Sequence, residues 1–492
     1  MSPEPMAGAG ADAGRPVEGQ PAARPTPGEP RPYSFPSFER HRLANGLTVL
    51  VVDLPGRPLV SASLLFPTGA VDEAADVAGA TVLSARALSE GTASHDAIEL
   101  TEAAERLGAT LHAEAGWDAL TVSVDVAAER LEPALELLAE MVATPTFPDG
   151  EVERLRDERL NDILQARADP RRRAEEAFIE TIYTPASPYH RPSGGLRETV
   201  ARLGPAELRA AHERGFDPAR LTLVVGGELA GLDVPAIAGR LFGSWAASGG
   251  SRANPPIVAR PAVDEPLLRL YHRPGSVQTE VRIGHLGLPR LIPDFHAVAV
   301  MSAILGGLFS SRLNMKIREE KGYAYGAGAG FDLRRGPGPF AARAAVNGDV
   351  TVAAVRDILG ELARMRDERV TDAELAAARD FLIGVFPLRF ETPGPVVGAL
   401  AGLVIQGLPD DELARYRPAI EAVTADDVLA AARAHIDLER VAVVLVGDAD
   451  RIGSELEAAG IGRLEVVRDE GPTSEGPLEG VEDELGPVEG GD

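Results

Sequence analysis

Two long stretches of this sequence carry the same succession of elements. That restricts the chain to a duplicated fold, and excludes both one large core and a short-repeat array. In the first stretch, Asn45-Gly46 between two apolar runs predicts a hairpin spanning residues 41–52. A strand over 59–66, a largely apolar helix over 79–88 and an amphipathic helix over 98–107, stopped by Gly108, are expected next. Strands over 110–114 and 119–126 follow, then helices over 131–143, 149–168, 171–182 and 206–214. An apolar strand over 221–225 runs into Gly226-Gly227, and a helix over 235–242 closes the unit. The second stretch begins with strands over 267–271 and 278–286 and a helix over 296–305. It goes on with a strand over 340–346, helices over 352–364 and 371–386, and a strand over 441–446 before Gly447-Asp448. Glu151 and Glu374 hold the same place at the start of the longer helix in each stretch, 223 residues apart. The reading is an α+β chain of two similar domains, 39–245 and 265–468, joined by a Pro/Gly/Ser-containing linker at 246–264.

Composition narrows the function classes. A formal net charge of -26 argues against a nucleic-acid binder, which needs a basic footprint. Residues 469–492 contribute nine acidic side chains and no basic one, so they are expected to form an acidic disordered tail. With no cysteine, the chain has no disulfide, no zinc-thiolate site and no thiol nucleophile. Residues 1–38 are rich in Pro, Gly and Ala and hold no apolar run, which predicts a disordered leader and neither a signal peptide nor a membrane span. A cytoplasmic location is the expectation.

The chemistry concentrates in residues 310–325. A helix is expected to stop at Gly322, with Arg318 in its last turn at the negative end of the helix dipole. Tyr323 and Tyr325 then follow in a strand, on one face. Arg318 and Tyr325 at such a corner are candidates for gripping a peptide carbonyl. The plainer readings are that Arg318 neutralises the helix end or pairs with Glu319 or Glu320, and that Tyr325 packs in the core. The Gly-rich run 326–330 reads as a flexible strand or bulge, because no helix start follows it to cradle a phosphate.

Asn45-Gly46-Leu47-Thr48, Gly69 with Asp72-Glu73, the 79–92 helix, Pro188-Tyr189, Gly195, Gly226-Gly227, Ser310-Ser311-Arg312-Leu313, Arg318 and Gly322 with Tyr325 come in a specific order. Together they resemble the pitrilysin/insulinase-type zinc peptidases (inverzincins), and most closely their short two-domain branch of processing peptidases. The resemblance covers residues 39–468. It implies two α/β-roll domains of the LuxS/processing-peptidase-like type. Catalytic members carry H-x-x-E-H on the first-half helix, two His binding zinc and Glu acting as base. Those three positions fall on Val82, Ala85 and Arg86, and the distal carboxylate ligand on Asp162. The nine histidines include no pair three or four apart, so no helix presents two imidazoles on one face. Arg86 also brings a positive charge where a zinc would sit. Asp162 has the plainer reading of a solvated helix carboxylate.

In the family, an Arg and a Tyr of the second half bind substrate backbone and the developing oxyanion. The resemblance places these roles on Arg318 and Tyr325. It therefore implies a subunit without metal or other cofactor of its own, inactive alone. Such a subunit completes a heteromeric metalloendopeptidase with a homologous partner that carries H-x-x-E-H and the zinc. Peptides are the expected substrates, added as an extended strand to the edge at 110–114 or its second-half counterpart. No nucleic acid and no membrane enter this reading. The alternative is a scaffold or peptide-binding pseudopeptidase with no part in catalysis.

Overall fold

A computed structural model describes residues 28, 31–56, 58–247 and 256–468. The acidic tail, most of the leader and the middle of the linker lie outside these residues. Among these described residues, twelve strands form two six-stranded sheets. In the first, β1 (Glu39–Arg42), β2 (Thr48–Asp53), β3 (Leu59–Phe66), β4 (Thr110–Ala115), β5 (Leu120–Ala127) and β6 (Thr222–Gly227) stand in the order β1-β2-β6-β3-β5-β4. In the second, β7 (Leu267–His272), β8 (Gln278–Leu286), β9 (Ala327–Phe331), β10 (Pro339–Asn347), β11 (Ala442–Gly447) and β12 (Arg463–Val467) stand in the order β12-β7-β11-β8-β10-β9. Five strands of each sheet thus correspond one to one, β2 to β7 through β6 to β11. In both, the last strand inserts parallel to the first, pairing Val51 with Val225 and Tyr271 with Val446. The sheets differ at one edge only. There the first domain uses its own N-terminal strand, β1, antiparallel to β2, and the second its C-terminal strand, β12, parallel to β7.

The first-half helices that matter for the site are α1 (Ala80–Ala87), α2 (Ala97–Leu107), α3 (Leu131–Ala143), α4 (Asp149–Ala168) and α5 (Pro170–Ile182). Each forms where the sequence places its signals. Asp96 caps α2 and Gly108 closes it at φ 64. Asp169 caps α5, with Pro170 at its first position. The α1 cap is less ordinary. The buried Glu73 carboxylate accepts the N–H groups of Gly79 and Thr81, satisfying two donors at the helix start. Its burial raises this carboxyl above its usual range, against the lowering effect of those hydrogen bonds.

The central strands are buried on both faces, as expected of strands with parallel neighbours. On the inner face, Val49, Leu64, Leu223 and Val225 pack with α1 and α3, and Val443 and Leu445 pack with helices Phe295–Ser302 and Thr351–Asp367. The outer faces are covered by exchange. Ala174, Ala177, Phe178 and Ile182 of α5, a first-half helix, pack on Tyr271, Ala442, Val444 and Val446 of the second sheet. Val396, Val397, Leu400 and Leu403 of helix Pro393–Gln406, from the second half, pack on Leu50, Val52, Leu65 and Val224 of the first. The two similar halves are therefore interlocked, which a linker between separate domains does not suggest.

Phe35 corrects the leader boundary. It is buried in this same outer layer and meets Phe390 edge to face at 5.0 Å, so packed structure starts ahead of residue 39.

Candidate functional site

The corner at residues 310–325 begins at Ser311, after a break in a long helical stretch. Arg312–Asn314 makes one α-turn, and Met315–Glu320 widens so that Lys321 N–H reaches Lys316 C=O five residues back, at 3.1 Å. Such wide turns are common where a helix is shaped for function. Gly322, at φ +63, ends it as the sequence predicts; its N–H donates to Arg318 C=O and the Tyr323 N–H to Ile317 C=O.

The two tyrosines are not in a strand. Tyr323 spends its N–H on closing the helix, and β9 starts only at Ala327, where pairing with β10 begins at Ala344. The expectation that they share a strand face is thus overturned, as is the plainer reading of Tyr325 as a core residue. Tyr323 is half-buried against the second core, whereas Tyr325 is 96% exposed and makes no hydrogen bond to the described residues. Arg318 lies with its guanidinium 4.5 Å from the Phe309 ring centroid and its Nε 3.3 Å from Glu319. Its pairing with Glu319 realises part of the plainer reading. No hydrogen bond joins Arg318 to Tyr325; both are presented on the surface. Sequence reasoning missed Phe309, an exposed aromatic whose only signal is its place in the break before the helix.

The four positions that correspond to the family's zinc motif, three for ligands (Val82, Arg86, Asp162) and one for the base (Ala85), lie on α1 and α4. Val82 and the buried Ala85 have no donor atom. Arg86 donates to Glu158 at 2.7 Å, and Glu158 also accepts from Arg154 at 2.6 Å, which reaches on to Glu90 at 2.7 Å and Glu151 at 2.8 Å. The Arg86 hydrogen bond is the main cause holding the Glu158 carboxyl below its usual range. Asp162 bridges two guanidiniums, accepting from Arg172 at 2.8 Å and from Arg159, and the Arg172 bond lowers its pKa. It is a paired carboxylate more than a solvated one. Two apolar side chains, a guanidinium and a doubly bridged carboxylate do not fit a zinc ion, which needs three or four free N, O or S donors.

One other group among the described residues brings three ligand-type atoms within 4.8 Å of one another: His272, Asp448 and Asp450. Its donors are already engaged. His272 Nδ1 accepts the Ala449 N–H at 3.1 Å, Asp448 caps helix Ala449–Ala458 and accepts from Gly275, and Asp450 pairs with Arg468 at 2.7 Å. The arrangement is a helix cap.

The corner is anchored from below. Arg312 forms a two-pronged pair with Glu374 at 2.6 and 3.1 Å, and Glu374 also accepts from the Thr371 N–H and hydroxyl. Burial alone raises this carboxyl, but the Arg312 and Thr371 hydrogen bonds outweigh it and bring it down from 4.5 to about 2. Because the folded-state value is the lower one, this stability is fully present above pH 4.5 and lost as pH falls through about 2. Glu374→Gln is expected to flatten the acid limb of stability across that window, as measured by urea unfolding at stepped pH.

Comparison with known proteins agrees with this geometry. A family model described as Insulinase (Peptidase family M16) matches residues 48–189, and one described as Peptidase M16 inactive domain matches residues 202–382. The second match begins ahead of β6, although that strand lies in the middle of the first sheet. The chain is 26% identical over 427 residues to a Mycobacterium bovis protein named uncharacterized zinc protease, covering 86% of this chain and 96% of the relative. It is also 24% identical over 343 residues to the non-peptidase homolog YmxG of Helicobacter pylori, covering 67% of this chain and 76% of that one. A crystal structure of a peptidase M16 inactive domain from Pseudomonas fluorescens superposes with a TM-score of 0.78 at 26% identity, over 84% of this chain and 98% of the other. A protease from Helicobacter pylori superposes at 0.76 and 19% identity, a likeness of fold. With both sheets, their shared order and the two matched segments in agreement, the chain belongs to the M16 insulinase/pitrilysin peptidase family.

Proposed function

We propose that this chain is the non-metal-binding subunit of a heteromeric M16 metalloendopeptidase. A homologous partner brings zinc and the H-x-x-E-H helix, and this chain supplies Arg318 and Tyr325 to the shared site. The observation that carries the reading is a contrast within one chain. The positions for zinc hold Val82, Arg86 and an Asp162 committed to two arginines, and the position for the base holds Ala85, while Tyr325 stands 96% exposed with its hydroxyl unengaged among the described residues. A phenol and a guanidinium held on a surface can donate to the oxygen that gains charge as water attacks a peptide carbonyl. Peptides of little sequence preference add to β4, which has β5 as its one neighbour and leaves its other edge for backbone hydrogen bonds.

A scaffold role is the second reading. It is favoured by the name non-peptidase homolog carried by one relative, and by the engagement of Arg318 with Phe309 and Glu319. A cytoplasmic setting without membrane or nucleic-acid partners is part of the proposal. The helical stretch Phe295–Glu320 is long and apolar enough to cross a membrane, yet half of it is buried inside the fold.

Metal analysis of the purified chain tests the first claim. After dialysis against zinc-containing and then zinc-free buffer, less than about 0.1 equivalent of zinc is expected to remain, because the described residues offer no set of free donors to hold it. Tightly held zinc near one equivalent sinks the reading.

A further inference from the structure

Corresponding edges of the two sheets end in a hairpin, β4–β5 in the first and β9–β10 in the second, and the tips of these two hairpins meet. Asp118 of the first tip is buried, and its Oδ2 accepts the backbone N–H of Arg335 in the second tip at 2.8 Å. Its Oδ1 accepts the Tyr189 hydroxyl at 3.0 Å, and that oxygen in turn accepts the Gly336 N–H at 3.1 Å. The Arg335 guanidinium, 10% exposed, lies 3.4 Å from Asp72 and 3.8 Å from Asp118. Next to it Arg334 is sandwiched at 4.8 Å from the ring centroids of both Trp117 and Tyr189 and is held by Asp332 at 2.6 and 2.9 Å. Tyr183 adds a hydrogen bond to the Pro337 carbonyl at 2.9 Å.

These contacts are more than a link between halves, because the exchanged helices already provide one. They fix the turn ends of β4 and β9, edge strands that each have a single neighbour and would otherwise fray. A strand that must accept a peptide by backbone hydrogen bonds binds better if it is already straight and in register, since less ordering is left to be done on binding.

We propose that Arg335, with Tyr189 and Asp118, is a positioning residue for peptide capture: the clasp between the two hairpin tips keeps the open edges of β4 and β9 preformed. This rests on the reading that β4 takes up an extended peptide.

The test is amide hydrogen exchange of the full chain, free and with a casein digest as peptide probe, on wild type, Arg335→Ala and Tyr189→Phe. The second variant removes one oxygen and keeps the ring, so it folds if the first does not. Both are expected to raise exchange about tenfold in β4 and β9 with the central strands β6 and β11 unchanged, and to reduce peptide protection of β4. Exchange unchanged in both edge strands overturns the proposal, as does loosened exchange with peptide protection equal to wild type. Failure of the underlying reading looks different: wild-type β4 then gains no protection from peptide at all.

Discussion

Replacing Arg318 and Tyr325 by alanine is expected to reduce peptide cleavage by the reconstituted pair of chains by about 100-fold or more, mostly in kcat, the size of effect that follows loss of an oxyanion donor. The melting temperature of this chain is expected to stay nearly unchanged. Tyr325 is 96% exposed, so its loss removes little packing, and Arg318 gives up a contact with Phe309 and one exposed ion pair with Glu319. This separation of activity from stability distinguishes the two readings. A scaffold keeps its partner active without these side chains, so unchanged cleavage by the double variant leaves the scaffold reading standing.

The second large effect concerns the exchanged helices. Residues 34–245 produced alone are expected not to reach a native fold, because the outer face of their sheet loses helix Pro393–Gln406 and exposes Leu50, Val52, Leu65 and Val224. Residues 256–468 alone lose α5 and expose Val444, Val446 and Tyr271 in the same way. Each buried apolar side chain of this kind contributes about 1.5–3 kcal/mol, and a domain's whole margin is about 5–15 kcal/mol, so losing one face suffices. Co-production of both pieces is expected to restore a soluble complex. In the intact chain Phe178→Ala is expected to cost about 3–5 kcal/mol in chemical unfolding. Two halves that each unfold cooperatively and alone, with near-native circular dichroism, contradict the interlock.

The outline of the fold was legible because it is local. Asn45-Gly46, Gly108 and Gly322 sit where turns and helix ends need positive φ, and the strand over 59–66 and the helix over 149–168 are marked by composition and flanking residues. The exchange was not legible. Helix Pro393–Gln406 is apolar around most of its surface and carries Gly394, Gly398 and Gly402, so neither a helical period nor a partner can be read from it. Helices Glu412–Ala422 and Ala425–His435 and strand β12 also went unassigned. At the site, Arg318 and Gly322 were placed correctly by dipole and cap arguments. Tyr325 was not, because alternate spacing was read as a strand where the chain is still closing a helix. The clasp rests on Asp118 and Arg335, 217 residues apart, and no spacing rule reaches that far.

The most direct measurement is to mix this chain in increasing amounts with a homologue that carries H-x-x-E-H, following hydrolysis of an unstructured peptide and the zinc content of each separated chain. Neither chain alone is expected to cleave appreciably. Activity then rises to a plateau at equimolar mixing, and the zinc stays with the homologue. Cleavage by this chain alone, zinc retained on it, or a homologue whose full activity is indifferent to its presence contradicts a site shared between two chains.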